Sequence, residues 1–242
     1  MGALFISDLH LDPSRPDTLA RLLELLRHPP GPVERLYILG DLFEAWIGDD
    51  AAPSELAPLE EALQRLKRAG SAIYFQHGNR DFLLGEAYAG RLGAQLLPEE
   101  TVIDLYGRPA LLMHGDSLCI DDHEYQRFRA MVRNPDWQAQ ILALPIPERL
   151  RLAAELRETS RAANQTKAEE IMDVNAAEVA RVMEAHGVDL LIHGHTHRPA
   201  IHRLQHPSGP ATRIVLGDWY QQPSHLYWPE NGAFRLQDPR LP

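Results

Sequence analysis

Near its N-terminus the chain reads Ala3-Leu4-Phe5-Ile6-Ser7-Asp8-Leu9-His10-Leu11-Asp12. The apolar run from Ala3 to Ile6 predicts a short buried strand, and polar residues begin where that strand should end. Asp8 and His10 are two positions apart, so their side chains leave the same face of an extended backbone. A carboxylate beside an imidazole is half of a metal site. This pair indicates a metal site only if later strands also end in metal-ligating groups.

The next seventy residues alternate between predicted strands and helices. A helix with Asp17 as its N-cap follows the first strand, and a second strand, 35–39, runs into Gly40-Asp41. A second helix over about 55–69 leads to a third strand, 72–76, which runs into His77-Gly78-Asn79-Arg80. Such alternation predicts parallel β-α-β units with right-handed crossovers. Ligands of such sheets gather at the carboxyl ends of the strands, where these polar residues stand.

The second half of the chain predicts a sheet interrupted by helices. A short helix over about 82–90 precedes a hairpin of strands 101–105 and 110–113, which runs into His114. Residues 121–186 are helical in pattern, with breaks near Pro135 and at Pro145 and Pro147. A strand at 189–192 leads into His193-Gly194-His195-Thr196-His197, and short strands fill 200–236. We therefore predict a core of residues 1–120 and 187–242, with 121–186 inserted as a helical cap over the site.

The composition limits the classes of function. The chain has 242 residues, with 24 Lys and Arg against 34 Asp and Glu, a net charge of −10. That acidic balance argues against nucleic acid as a partner, because non-specific nucleic-acid binding needs a basic surface. The single cysteine, Cys119, excludes an internal disulfide and suits a reducing compartment. No signal peptide or membrane span is visible in the sequence, so we expect a cytoplasmic protein, with peripheral membrane attachment left open.

Five strand ends carry oxygen or imidazole donors and no thiolate. Mixed donors of this kind suit Mn²⁺, Fe²⁺ or Zn²⁺. Seven candidates exceed the needs of one ion but fit two ions that share a carboxylate, an arrangement that catalyses phosphoryl displacement. Taken singly, several of them could be ordinary turn or strand-end residues, but three histidines around one glycine rarely serve packing. The candidate metal ligands are Asp8, His10, Asp41, Asn79, His114, His195 and His197.

The order of these motifs resembles the calcineurin-like metallophosphoesterases: Asp-x-His, Gly-Asp, Gly-Asn, His, then Gly-His-x-His. The resemblance implies an α/β fold of the four-layer α+β type, a β-sandwich flanked by helices, with two divalent ions and Mn²⁺ as the expected metal. It also implies that Asp41 bridges the ions and that Asp41 and His195 are catalytic, and we predict Arg80 as a third catalytic residue from its own chemistry. One ion would take Asp8, His10, Asp41 and His197, and the other Asp41, Asn79, His114 and His195.

Arg80 departs from the general pattern of that family, which usually has His after Gly-Asn as an acid or transition-state stabiliser. A guanidinium cannot release a proton at neutral pH, but it can bind phosphate oxygens through two parallel hydrogen bonds. The loss of an acid matters least when the leaving group is already good. Arg80 therefore favours pyrophosphate bonds over alkyl phosphoesters as the substrate.

The segment 40–50, which contains Trp46, and Gly78-Asn79-Arg80-Asp81 resemble one branch of that family. This branch comprises the bacterial UDP-2,3-diacylglucosamine pyrophosphohydrolases of lipid A synthesis, which release UMP and lipid X. The resemblance implies a lipid substrate, peripheral attachment to the cytoplasmic face of the inner membrane, and no evident protein partner. Equivalent residues in that branch contact substrate or product at Asn79, Arg80, Asp122, Ser160, Asn164, Lys167 and His195.

The cap offers two further patterns, each with an ordinary alternative. Ser160, Asn164 and Lys167 share one helix face that suits a glucosamine phosphate, or that is simply a solvated surface. Apolar residues around Tyr125 and Phe128 would line an acyl-chain groove, form the cap's own core, or do both. Alternative functions are a soluble-nucleotide phosphodiesterase or dinucleoside polyphosphate hydrolase of the same family, and a non-catalytic scaffold with this fold.

Overall fold

The computed structural model describes residues 1–166, 173–206 and 209–241, and it gives no side-chain detail for 161–166 and 206. Its strands form two sheets that face each other. The first sheet has the order β11-β10-β1-β2-β3-β4 and the second β5-β6-β7-β9-β8. The strands are β1 Gly2–Ile6, β2 Val33–Leu39, β3 Ala72–Gln76, β4 Gln95–Leu96, β5 Thr101–Asp104, β6 Pro109–Leu112, β7 Leu190–His193, β8 Ala200–His206, β9 Gly209–Val215, β10 His225–Pro229 and β11 Arg235–Gln237.

Parallel strands form the centre of both sheets. In the first sheet β1, β2, β3 and β4 run parallel, while β10 and β11 add an antiparallel edge. In the second sheet β6, β7 and β9 run parallel, with β5 and β8 antiparallel at the edges. The predicted crossovers and the predicted hairpin are therefore present. Because the central strands are parallel within each sheet, their carboxyl ends open towards one shared edge.

Helices cover the outer face of each sheet. They are α1 Pro16–Arg27, α2 Ala57–Arg68, α3 Glu86–Leu92, α4 His123–Val132, α5 Pro135–Leu142, α6 Ile146–Thr166 and α7 Ala176–Ala185. Phe5 and Leu39 point into the core between the sheets together with Ile192. The alternate residues Leu4 and Ile6 pack outward against α1 and α2. The layers run helix, sheet, sheet, helix, which confirms the predicted sandwich flanked by helices.

Two predicted helix boundaries are wrong. Helix α1 begins at Pro16, which suits the first helical position, so Asp17 lies in the first turn and pairs with Arg21 instead of capping the helix. Helix α3 covers 86–92 and not 82–90. It starts late because a turn in which Leu84 donates to the Asp81 carbonyl comes first, and it ends at Gly93, which adopts φ 74°.

The segment predicted as the cap contains α4, α5, α6 and α7 and no strand in its described part. The prolines mark helix starts: α5 begins at Pro135, behind the N-cap Asn134, and α6 begins just after Pro145. Helix α7, however, packs on the outer face of the second sheet through Val179, Val182 and Met183. We therefore propose that the cap proper is α4 to α6 and that α7 belongs to the core. None of the described helices is long and apolar enough to cross a bilayer.

Candidate metal centre

Five of the seven predicted ligands lie where strands give way to loops in left-handed backbone conformation. Asp8, His10, Asp41, His195 and His197 have φ between 49° and 68°. Such values are unusual for residues with a Cβ, and they cluster where the structure aims a side chain at a site. The loops after β1 and β2 also pair with each other, since the His10 and Leu11 amides donate to the Asp41 and Leu42 carbonyls.

The first group of ligands surrounds His10. Its Nε2 is 3.2 Å from His197 Nε2 and 3.8 Å from Asp41 Oδ2. His197 Nε2 is also 3.4 Å from Asp8 Oδ1. Donor atoms of Asp8, His10 and His197 lie within 4.8 Å of one another. These are the spacings of side chains that share one ion.

The second group surrounds Asn79. Its Oδ1 lies 3.0 Å from His114 Nε2 and 2.9 Å from His195 Nδ1. Asp41 reaches both groups, because its Oδ1 is 3.8 Å from His114 Nε2 while its Oδ2 faces His10. Asp8 is also close to both, since its carboxylate lies within 4.8 Å of Asp41 and His114 donor atoms. The structure thus brings all seven predicted ligands together and puts the Asp41 carboxylate between the groups.

The outer ring nitrogens of three of these histidines face oxygen atoms. His114 Nδ1 is 2.8 Å from the Leu39 carbonyl, to which it donates. His10 Nδ1 lies 3.1 Å from Glu44 Oε2, and His197 Nδ1 lies 3.9 Å from Asp218 Oδ2. In His114, the proton on Nδ1 leaves Nε2 as a lone-pair donor towards the cluster. Hydrogen bonds of this kind orient the histidines of metal sites.

Burial and charge shape the protonation of the cluster. Burial opposes ionisation of Asp8, but the hydrogen bond and charge of His197 hold its pKa well below the ordinary value. Burial likewise opposes protonation of His197, yet Asp8 raises its pKa. Burial lowers the pKa of His195 to about 4, and the neighbouring His114 adds to that shift. Ionised carboxylates and a neutral His195 are the forms that bind cations.

Two glycines make room for the carboxylates. A Cβ at Gly78 would collide with Asp41, and a Cβ at Gly194 would collide with Asp8 and Ser7. The Asp41 carboxylate accepts the Arg80 backbone amide at 2.8 Å, and Asp8 accepts the His195 amide at 3.0 Å. A Cβ atom at either glycine would push these carboxylate oxygens out of the cluster.

The donor set fits two hard or borderline divalent ions. It joins carboxylate and amide oxygens to imidazole nitrogens in two groups that share Asp41. Cys119 lines the same cleft but has its pKa raised to about 12 by burial, so it offers no thiolate. The chemistry of the residues therefore matches a dinuclear centre.

Five of the seven predicted substrate residues line a cavity of about 240 Å³ around the predicted ligands, here called the metal cleft. Asn79, Arg80 and Asp122 border it, as do His195 and Ser160. Asp122 also caps α4 by accepting the Tyr125 amide at 3.0 Å. The Asn164 side chain and the whole of Lys167 lie outside the described residues.

A second opening, here called the apolar cleft, separates the cap from the core. Its walls include Trp46 and Phe82 from the core and Phe128 and Leu156 from the cap. It shares walls with the metal cleft at Asn79, Arg80, Tyr125 and Ser160. Its enclosed volume is about 80 Å³, smaller than the ligand pockets of most proteins.

Residues 1–199 match the family described as calcineurin-like phosphoesterase. The chain belongs to this family.

The curated relatives of this calcineurin-like phosphoesterase are similar over nearly their whole lengths. It is 59% identical over 222 residues to the UDP-2,3-diacylglucosamine hydrolase of Cellvibrio japonicus, a match that covers 92% of each chain. It is 56% identical to the enzyme of that name from Marinobacter nauticus, over 95% of this chain and 93% of the relative. The corresponding protein of Stenotrophomonas maltophilia is 52% identical over 96% of both chains. The resemblance drawn from the motifs is confirmed.

Sequence reasoning missed two residues of this calcineurin-like phosphoesterase site. Glu44 lies beside His10, and the Oε1 atom of Glu44 accepts a hydrogen bond from Arg157 of α6 at 2.7 Å. Burial opposes ionisation of Glu44, but His10 lowers its pKa to about 2. Tyr125, predicted only as an apolar cap residue, lies over His195 at 5.8 Å between ring centroids and donates its hydroxyl to Asp116. The only sequence signal for Glu44 was its place three residues after Asp41.

Proposed function

We propose that this protein hydrolyses the pyrophosphate of UDP-2,3-diacylglucosamine to UMP and 2,3-diacylglucosamine 1-phosphate. The observation that carries the proposal is the junction of two clefts of opposite character. A cluster of phosphoesterase ligands opens directly into an apolar cleft through shared walls at Asn79 and Arg80. A substrate that contains both a phosphate bond and acyl chains would use both clefts. The curated relatives carry the name of this hydrolase.

In this proposal Asp8, His10, Asp41 and His197 hold one divalent ion, and Asp41, Asn79, His114 and His195 hold the other. Two such ions supply charge neutralisation for a phosphoryl displacement and activate water for attack. We infer Mn²⁺ as the metal, because mixed carboxylate and imidazole sites suit it and because the resembling branch generally uses it.

Arg80 binds the phosphate oxygens. Its Nε is buried and has no hydrogen-bond partner among the described residues, while its backbone is fixed by bonds to Asp41 and Trp46. A guanidinium beside a metal cluster, with an Nε–H that no described residue accepts, favours an anion that accepts two hydrogen bonds. It stabilises charge that develops on the phosphoryl oxygens, and the phosphate leaving group needs no acid.

The sugar and its acyl chains bind on the side of the metal cleft that faces the cap. Ser160 and Asp122 border the metal cleft and supply a hydroxyl and a carboxylate for the glucosamine, with Asn164 and Lys167 proposed on the same helix face. The acyl chains enter the apolar cleft, where each buried CH₂ contributes about 0.8 kcal/mol. Because that cleft encloses little space, we propose that α4 to α6 move outward when the lipid binds.

The lipid substrate also implies a location. A diacylated sugar nucleotide partitions into a bilayer, so we propose that the protein works as a peripheral enzyme at the cytoplasmic face of the inner membrane. Nothing in this role calls for nucleic acid or a protein partner.

The deciding experiment incubates purified protein with Mn²⁺ and UDP-2,3-diacylglucosamine and measures UMP. We expect UMP release that disappears in Asp41→Asn and after chelation. A parallel series with Mg²⁺, Zn²⁺ and Fe²⁺ tests the metal. No UMP under any of these conditions would contradict the hydrolase and favour the scaffold alternative.

UDP-N-acetylglucosamine is the matched control, since it has the same bond without the two long chains. We expect much slower hydrolysis of this compound. Equal rates on both substrates would replace the lipid hydrolase by the soluble-nucleotide alternative.

A further inference from the structure

A third cavity, here called the basic pocket, continues from the metal cleft on the side away from the apolar cleft. It measures about 210 Å³ and is bordered by Asp173, Arg198, His202 and Arg213. Thr196 and Arg198 line both the basic pocket and the metal cleft, whereas no residue lines both the basic pocket and the apolar cleft. The three cavities therefore run in the order apolar cleft, metal cleft, basic pocket.

Arg213 lies on the outer face of the second sheet. It is on β9 between Ala211 and Val215 and pairs with His202 of β8. Its Nη1 donates to the neutral ring of His193 at 3.3 Å, and no carboxylate forms a salt bridge with it among the described residues. Because the half-buried Arg213 guanidinium has no salt bridge among the described residues, it keeps N–H groups that can donate to a ligand.

Asp173 contributes a carboxylate to the basic pocket and interacts with two of its guanidinium groups. It accepts a hydrogen bond from Arg198 Nη1 at 2.8 Å, and it interacts electrostatically with Arg213. Arg240, by contrast, is neutralised by Asp218 and Asp238. The pocket thus contains two guanidinium donors, Arg198 and Arg213, and one carboxylate acceptor, Asp173.

The polar edge of uracil has the complementary pattern: a carbonyl, an N–H and a second carbonyl. Cytosine presents a lone pair and an amino group where uracil presents the N–H and a carbonyl. A lone pair aimed at the Asp173 carboxylate would be repelled. Such a pocket distinguishes the two pyrimidines by the polarity of their hydrogen bonds.

We propose that the basic pocket binds the uridine of the substrate, with Arg213, Asp173 and Arg198 reading the uracil edge. The inference rests on the proposed function, which puts the pyrophosphate at the metal cleft and the acylated sugar towards the apolar cleft. The nucleoside of the bound substrate then extends from the metal cleft on the side opposite the apolar cleft. Thr196, whose hydroxyl is buried and has no partner among the described residues, stands at that exit next to the ribose.

The test measures binding of UMP and CMP to the Mn²⁺-loaded protein by isothermal titration calorimetry. Both nucleotides carry the same phosphate, so any difference comes from the base. We expect UMP to bind about tenfold more tightly than CMP or better, because a mispaired polar group costs binding. Equal affinities, or UMP binding too weak to detect at millimolar concentration, would overturn the proposal.

Arg213→Gln should remove most of the preference for UMP, and Arg213→Lys should restore part of it. The matched control is Arg203→Gln, which removes the same charge from the neighbouring strand at a residue that does not line the pocket. Circular dichroism and metal content establish that each variant is folded and loaded. An Arg213→Gln protein with an unchanged UMP preference would exclude the assigned role.

This result is separable from the proposed function. Hydrolysis of UDP-2,3-diacylglucosamine by the unaltered protein, measured alongside, tests the reaction without reference to the basic pocket. UMP release without any base preference would refute the pocket alone, and base-selective binding without UMP release would refute the hydrolase alone.

Discussion

At the scale of single residues, the site depends on side chains whose surroundings are unusual. Arg80 is the clearest, because its guanidinium lies beside a carboxylate cluster while its Nε has no partner among the described residues. Glu44 is another, since it contacts a ligand of one ion on one side and a cap arginine on the other. Each leads to an experiment in which metal content and turnover can be separated.

Arg80→Ala should lower kcat for UDP-2,3-diacylglucosamine by about a hundredfold or more, because a donor to developing phosphoryl charge is lost. Metal content should stay unchanged, since Arg80 contacts the proposed ligand Asp41 through its backbone amide. Steady-state kinetics and elemental analysis check both. Near-normal turnover with full metal content would exclude the role of Arg80.

Glu44→Gln should weaken binding of the ion proposed at His10 by about tenfold to a hundredfold, because it removes the negative charge that lies 3.1 Å from His10 Nδ1. Titration of metal-free protein with Mn²⁺ measures the change. The control is Glu61→Gln, an exposed glutamate on α2. Equal metal affinity in the two variants would show that the Glu44 charge does not support the ion proposed at His10.

At the scale of elements, two arginines attach α6 of the cap to the core. Arg149 of α6 is almost fully buried, and it donates to the Ile47 carbonyl at 2.6 Å and to both oxygens of Asp50. Arg157, two turns later, reaches Glu44. These contacts join the helix that lines the apolar cleft to the loop after β2.

Arg149→Ala should raise KM for UDP-2,3-diacylglucosamine several-fold, because α6 would no longer be held over the acyl chains. Metal content should not change, as Arg149 contacts no ligand. The matched control is Arg151→Ala, an exposed arginine on the same helix that pairs only with Glu155 among the described residues. If both variants gave the same KM, the anchoring role of Arg149 would be rejected.

At the scale of the whole molecule, a buried histidine links stability to pH. His225 of β10 is almost fully buried, and neither ring nitrogen has a hydrogen-bond partner among the described residues. Burial lowers its pKa to about 4 from an ordinary value near 6.5. The unfolded chain therefore binds the proton more readily, and stability falls as the pH drops from 6.5 towards 4.

We expect His225 to account for roughly 2 kcal/mol of the stability lost between pH 7 and pH 5. His225→Leu should remove that part of the loss, because leucine cannot be protonated. Urea denaturation at both pH values measures it, with the exposed His28→Ala as control. Identical pH slopes in the unaltered protein and His225→Leu would contradict the assignment.

Much of the fold and of the candidate site could be predicted, because both depend on patterns of residues close together in the chain. The apolar run 3–6, the Gly-Asp and Gly-Asn turns and the spaced histidines each report their own strand end, and parallel strands must open towards one edge. Helix boundaries were less certain where a tertiary contact competed with propensity. The buried Asp81, which accepts the Leu42 and Gly78 amides, fixes the turn where the helix 82–90 was predicted.

The sequence by itself predicted the parallel β-α-β units and the seven ligand candidates, and its Arg80 led to the proposal of a pyrophosphate bond. Only the tertiary structure decided what those residues face: Glu44 beside His10, Tyr125 over His195, α7 on the core and Arg213 at the end of a row of cavities. The reason is physical. Motifs and periodicity reflect interactions between residues close in the chain, whereas these contacts join segments that meet only when the two sheets and the cap pack together.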